Sequence, residues 1–223
     1  MKPCSPAKVA EAIGKLKGKK CPGKDLITNQ MIKNFPIRII LRISFLINCI
    51  FKFSYFPKSW KTAVVGPTYK QGENAQAPDS YRPISLLSSL SKLAESIILS
   101  RLEAETENKL IPFQFGFRKG LSTTEQLIRM TEHIREGFLN YSDTAAVFID
   151  IAEAFDRVWI DSLIYKMHKL KISKQLILLI QSYLKNGNFM VRVGKELSTP
   201  QDDGSRSGPR VETWLSLLQY FHK

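Results

Sequence analysis

The chain has 223 residues, 43% of them apolar and 24% charged, with 33 Lys and Arg against 20 Asp and Glu. That composition excludes a disordered tail and fits one large domain or two small ones. The formal charge of +13 favours polyanionic partners, because a cation set on a phosphate releases a condensed counterion; a solvated basic surface is the plainer reading of the same charge.

Ser5 as N-cap and Pro6 at the first helical position predict a helix that turns Val9, Ala12, Ile13 and Leu16 inward and ends at Gly18. The near-run of basic residues at Lys15–Lys20 reads as a solvated turn or a phosphate-contacting arm, with a localisation signal as the alternative. Lys20–Asp25 is a turn, and helical segments follow around 26–35 and 37–52, parted by Pro36. The apolar stretch Ile39–Phe53 is interrupted by Arg42 and Lys52 and falls short of the roughly 18 residues of a membrane span, so it reads as a buried amphipathic helix.

Ala63-Val64-Val65 predicts a short strand and Lys70–Ser80 a loop. Arg82–Leu86 returns as extended chain, since the residue before a proline avoids the helical region. Leu90, Leu93, Ala94, Ile97, Ile98 and Leu102 mark a long amphipathic helix, followed by a loop of aromatic and basic residues at Pro112–Gly120. Ser122 and Glu125 form a capping box for a helix expected to turn Leu127, Ile128, Ile134 and Phe138 inward. The continuous apolar run Ala145–Ile149 predicts a strand covered on both faces. Helices at 161–170 and 174–185 and a strand at Phe189–Val193 follow. Beyond Ser198 the chain turns polar and rich in breakers, with a short helical pattern at Val211–Phe221.

Cys4, Cys21 and Cys49 are odd in number and lack ligand-like spacing with His133, His168 or His222. With no secretory signal at the start, they predict a reduced intracellular protein, nuclear or cytoplasmic, without structural zinc. Asp150 closes the Ala145–Ile149 run. An aspartate there commonly caps the next helix; equally, it suits Mg²⁺, which takes one or two carboxylates plus substrate phosphates. Two-metal phosphoryl transfer needs more carboxylates than this one.

Ordered segments along the chain carry a resemblance. They are Lys20-Cys21-Pro22-Gly23-Lys24-Asp25, Pro57-Lys58-Ser59-Trp60-Lys61, Ser80-Tyr81-Arg82-Pro83-Ile84-Ser85-Leu86-Leu87, Gln114-Phe115-Gly116-Phe117-Arg118, and Asp150 through Ala154-Phe155-Asp156-Arg157-Val158-Trp159. Together, over most of residues 1–198, they resemble the reverse transcriptase of a non-LTR retrotransposon of the jockey type. The resemblance implies an α+β right-hand polymerase: an N-terminal helical extension at 1–59, fingers at 60–142, a partial palm at 143–198 and a divergent tail at 199–223. It also implies RNA-directed DNA polymerisation, with an RNA template, a DNA primer, deoxynucleoside triphosphates (dNTPs) and Mg²⁺, and no membrane.

By the same resemblance Asp150 is the first metal-binding aspartate of the palm. Phe155 is the aromatic that packs on the incoming sugar, while also suiting a core anchor. Arg82 and Lys70 grip the triphosphate, to which a guanidinium fork is well matched. Gln114, Phe117 and Arg118 seat the template strand, with Phe113 and Phe115 open to a plain core-turn role. Asp156 is expected to order the turn and Trp159 to sit in the core.

Departures are also present: Glu153 stands where the family usually has lysine, Ile160 where histidine is common, and Leu121 where histidine often precedes Ser-Thr. These suggest a drifting copy. The family next expects Pro-Gln-Gly-Ser and then a Tyr/Phe-Ala-Asp-Asp hairpin. This chain gives Pro200-Gln201-Asp202-Asp203-Gly204-Ser205 and then loses the pattern, as a frameshift or a gene-model error would produce. The flanks of Asp202-Asp203 lack the apolar strands that would set a hairpin beside Asp150. The expectation is a polypeptide that does not polymerise DNA by itself, with a non-catalytic RNA or primer–template binder as the alternative. A third outcome is an incomplete sheet whose exposed strand edge favours aggregation.

Overall fold

Local capping chemistry starts several of the helices and a shared apolar core holds most of them. The computed structural model describes residues 1–202 except 73, 75, 78, 79, 117, 119 and 151–157, and leaves the side chains of Arg82 and Pro83 undescribed. Phe117, Glu153, Phe155, Asp156, Asp203 and the helical pattern at Val211–Phe221 therefore lie outside the described residues.

Helix α1 (Pro6–Gly14) opens with Ser5 Oγ accepting from the Lys8 N–H and buries Val9 and Ile13. It ends a turn before Gly18, at Gly14, a residue whose backbone freedom disfavours helix. α2 (Asn29–Lys33) is shorter than the expected 26–35 segment: Leu26 sits at φ 58°, a left-handed conformation that no helix can pass through, and Thr28 supplies the cap. α3 (Ile37–Phe53) buries Ile43, Ile47, Ile50 and Phe51 and ends at left-handed Ser54. Only that face is buried; Ile37, Leu41, Phe45 and Phe53 are exposed.

α4 (Ser89–Thr106), α6 (Ile160–Lys169) and α7 (Lys174–Leu184) complete the core, where Val9, Ile32, Ile47, Leu93, Ile98, Met167 and Ile180 meet. The N-terminal segment is pinned to α3 by two side chains, and Ser44 Oγ donates to the Cys4 carbonyl at 3.0 Å. Asn48 Oδ1 accepts from the Cys4 N–H at 2.6 Å, and its Nδ2 donates to the Cys4 carbonyl at 3.0 Å.

A small mixed sheet is attached to this core. β1 (Thr62–Tyr69) pairs antiparallel with β2 (Tyr81–Leu86) and parallel with β3 (Asn188–Val193); β4 (Glu196–Leu197) and β5 (Gln201–Asp202) both pair antiparallel with β3. Ala63 and Val64 are buried, whereas Pro67, Thr68 and Tyr69 are exposed, so β1 is anchored at one end and projects at the other. Pro67 lies opposite Pro83, a rung at which neither strand has an N–H to donate.

Helix α7 is held at both ends by charges from distant segments. Glu105 accepts from the N–H and Oγ of Ser173, the N-cap, both at 2.8 Å. At the other end the buried Lys61 ammonium donates to the carbonyls of Ser182 and Lys185 at 2.8 and 2.7 Å. Anion at the N-terminus and cation at the C-terminus match the helix dipole and satisfy its orphan groups.

Three further expectations differ from the structure. The Ala145–Ile149 run is not a covered strand: Val147, Phe148 and Ile149 are 86%, 81% and 84% exposed, and residues 143–150 carry no strand. A backbone becomes a strand only where a neighbour takes up its hydrogen bonds, and β1 already has β2 and β3 on its two edges. Helix α5 (Thr123–Leu139) has its capping box, yet none of its residues is buried: Leu127, Ile128 and Phe138 are exposed and Ile134 is half-buried. Trp159 is the N-cap of α6 and is 72% exposed instead of lying in the core.

Candidate functional site

The segments that carry the resemblance divide into structural joints and candidate contacts. At Gly23, an added Cβ would lie 2.5 Å from Ser88 N and 2.6 Å from the Leu87 carbonyl carbon, so only glycine fits. Asp25 Oδ2 then accepts from Ser88 Oγ at 2.5 Å, and Oδ1 from the Ile27 N–H at 3.1 Å. The Lys20–Asp25 turn is thus locked onto the junction between β2 and α4. Pro57–Lys61 is a second joint. Trp60 and buried Phe56 meet edge to face at 6.0 Å, Phe56 meets Tyr183 at 4.8 Å, and Lys61 caps α7. A buried carboxylate completes this region: Glu95 Oε1 accepts from Ser91 Oγ at 2.8 Å and from the Tyr183 hydroxyl at 3.2 Å.

The β1–β2 hairpin brings together the positions of the two expected triphosphate cations. Arg82 pairs with Thr68, Tyr81 with Tyr69, and the Lys70 N–H donates to the Ser80 carbonyl at 2.8 Å. Lys70 and Arg82 therefore stand at one end of a single ribbon, beside a Tyr69–Tyr81 ring pair 5.7 Å apart. Lys70 is half-buried.

Gln114 and Arg118 share a second location, the loop between α4 and α5. Gln114 closes a turn with its N–H on the Ile111 carbonyl and its Nε2 on the Gly116 carbonyl at 3.3 Å. Arg118 is paired with Glu107 at 2.5 Å, and its side chain is only 15% exposed. Phe115 is half-buried, whereas Phe113 is exposed with the Arg129 guanidinium 3.9 Å above its ring.

Asp150 is described as an exposed residue ending the 143–150 segment. Among the described residues no three His, Cys, Asp or Glu are grouped as they would be to hold a metal ion. Asp202 belongs to β5, opposite Asn188, so this end of the chain does form a short strand although its sequence offered no apolar signal. Cys4, Cys21 and Cys49 are all free, and burial raises the Cys4 thiol pKa. At the start of α5, the hydrogen bond from Ser122 holds the Glu125 carboxyl below its usual range. No described helix is long and apolar enough to cross a membrane.

Sequence reasoning missed Lys61, Glu95, Glu105 and Asn48. Each has a hydrogen-bond partner far along the chain, which its neighbours in sequence do not reveal.

Residues 68–210 match the family model for reverse transcriptase (RNA-dependent DNA polymerase), and the chain belongs to that family. Among curated proteins it is similar to the "Probable RNA-directed DNA polymerase from transposon BS" of Drosophila melanogaster, 45% identical over 203 residues, which are 90% of this chain and 22% of that protein. The RNA-directed DNA polymerase from mobile element jockey of the same fly is 39% identical over 91% of this chain and 23% of its own length. That from transposon X-element is 38% identical over 93% of this chain and 24% of its own length. The chain thus resembles the jockey-like polymerases of non-LTR elements and spans less than a quarter of the length of these relatives.

Proposed function

We propose that this chain supplies the fingers and the first part of the palm of a right-hand RNA-directed DNA polymerase that copies a mobile element's RNA. In this reading Lys70 and Arg82 receive the triphosphate, Phe155 packs against the incoming sugar, Gln114, Phe117 and Arg118 seat the template, and Asp150 is one metal ligand among carboxylates supplied from beyond the described residues. The observation that carries the reading is the β1–β2 hairpin, which sets Lys70 and the Arg82 position at one end of a ribbon whose other end is buried at Ala63 and Val64. Membership of the reverse transcriptase family and the net charge of +13 support the same partners.

The 223-residue polypeptide by itself binds a primed RNA template without extending it. Metal carboxylates act only when rigidly held, and the segment that ends in Asp150 is exposed instead of paired into the sheet. The test combines two assays on one preparation. Fluorescence anisotropy with a DNA-primed RNA should give an affinity that falls steeply as salt rises, because phosphate contacts release counterions. Primer extension with Mg²⁺ and dNTPs should give no product. An affinity indifferent to ionic strength would remove the binding reading; extension abolished by Asp150→Ala would overturn the inactivity.

A further inference from the structure

The polymerase reading leaves the outward face of α3 unused. Its inner face lies in the core, but along the outer one Ile37, Leu41, Phe45 and Phe53 are 63%, 48%, 69% and 68% exposed. These residues recur at helical spacing over a helix about 25 Å long at 1.5 Å per residue. Towards its C-terminal end the face deepens into an apolar cleft of about 150 Å³ lined by Leu46, Cys49, Phe53, Tyr55, Pro57 and Trp60. Large exposed apolar surfaces of this kind mark contact sites.

The charge on the face selects the occupant. α3 contains no Asp or Glu, and its three cations, Arg38, Arg42 and Lys52, are all exposed among the apolar residues. Among the described residues no carboxylate pairs with any of the three; Lys52 only overhangs the Phe53 ring, at 5.7 Å. A partner must therefore bring apolar side chains for the cleft and negative charge for its rim. An amphipathic helix does both, because its apolar stripe can lie along α3 ridge into groove while flanking carboxylates reach the guanidinium groups. Single-stranded RNA suits the surface less well. Bases need flat aromatic platforms in a polar groove, whereas much of this face and cleft is Ile, Leu, Cys and Pro.

We propose that the outer face of α3, with the cleft at Leu46 and Trp60, docks an amphipathic helix that carries Asp or Glu beside its apolar stripe. None of its residues has a role in the polymerase reading, so the proposal does not depend on that reading.

The test uses the full chain and a fluorescein-labelled peptide of roughly 18 residues, about five helical turns, with Leu along one face and Glu beside it. A twin peptide replaces each Glu by Lys. Anisotropy should show the acidic peptide binding at least about tenfold more tightly than its twin, with the preference weakened by salt. Phe45→Ser should weaken the acidic peptide, while Arg38→Glu with Arg42→Glu should reverse the preference in favour of the lysine twin. That gain of binding requires a folded protein, so misfolding cannot imitate it. Equal binding of both peptides, no binding by either, or no reversal in the charge-swapped protein would overturn the proposal. So would tighter capture of anionic lipid vesicles or of single-stranded RNA that is lost in the same variants.

Discussion

Helices α4 and α5 are 18 and 17 residues long, both start at a serine cap and both carry leucine and isoleucine at helical spacing. Nine residues of α4 are buried and none of α5 is. The difference lies in what surrounds them. α4 runs between α1, α3 and α7, so even Ser91 and Glu95 on its inner side are enclosed and hydrogen bonded to one another. α5 leads instead into the exposed 143–150 segment. An apolar stripe states a capacity for burial; a facing surface decides whether that capacity is used. The proposed contacts divide along the same line, because the strand pair with Lys70 and Arg82 runs from buried Ala63 and Val64, whereas Asp150 lies in the exposed segment.

The largest expected effect comes from making the same change in both helices. Leu93→Ala removes a fully buried side chain and should cost about 2–5 kcal/mol, whereas Leu127→Ala, at 57% exposure, should stay within about 0.5 kcal/mol. Urea denaturation of the two variants measures this, and equal losses would break the comparison. Next, Lys61→Met strips the C-terminus of α7 of its ammonium and leaves the carbonyls of Ser182 and Lys185 without that donor, which should cost about 2–3 kcal/mol. Arginine at this site tests whether positive charge alone suffices; partial recovery of the melting temperature is expected. Asn48→Ala removes two of the three side-chain hydrogen bonds that hold the Cys4 backbone, leaving the one from Ser44 Oγ, and should cost about 1–2 kcal/mol. It should also raise the alkylation rate of Cys4, now buried, towards that of exposed Cys21.

The smallest effect belongs to the start of α5. The hydrogen bond from Ser122 depresses the Glu125 pKa, so the contribution of the capping box is complete above the ordinary glutamate range and is lost as pH falls through the folded-state value. Amide signals of Thr124 and Glu125 followed by NMR should report fraying at acid pH, and Glu125→Gln should remove most of that pH dependence. Global stability should barely respond, because nothing in α5 is buried.

Much of the secondary structure could be read from the sequence because it is written locally. Ser5-Pro6, the Ser122–Glu125 box, the extended chain before Pro83 and the leucine spacing of α4 depend on neighbours a few residues away, and the structure has each of them. Ala145–Ile149 and the inner face expected of α5 could not be read in this way, since both depend on a surface elsewhere. Lys61 was invisible for the opposite reason. A lysine ordinarily belongs at the surface, and only the end of α7, some 120 residues on, makes its burial favourable. Of the candidate site, the residue types came from the motif segments, but the grouping came from strand register. Thr68 opposite Arg82 and Lys70 beside Ser80 bring two separate motifs to one end of one ribbon.

The hairpin with Lys70 and Arg82 grows from a buried strand end at Ala63 and Val64, whereas the segment 143–150 that contains Asp150 is exposed and unpaired with the sheet. Hydrogen exchange followed by mass spectrometry on the 223-residue chain tests this directly. Peptides from α4, α7 and the inner half of β1 should exchange slowly, and peptides covering 143–150 should exchange within the earliest time point. Protection of 143–150 equal to that of β1 would contradict this contrast and would mean that Asp150 is held on a paired strand.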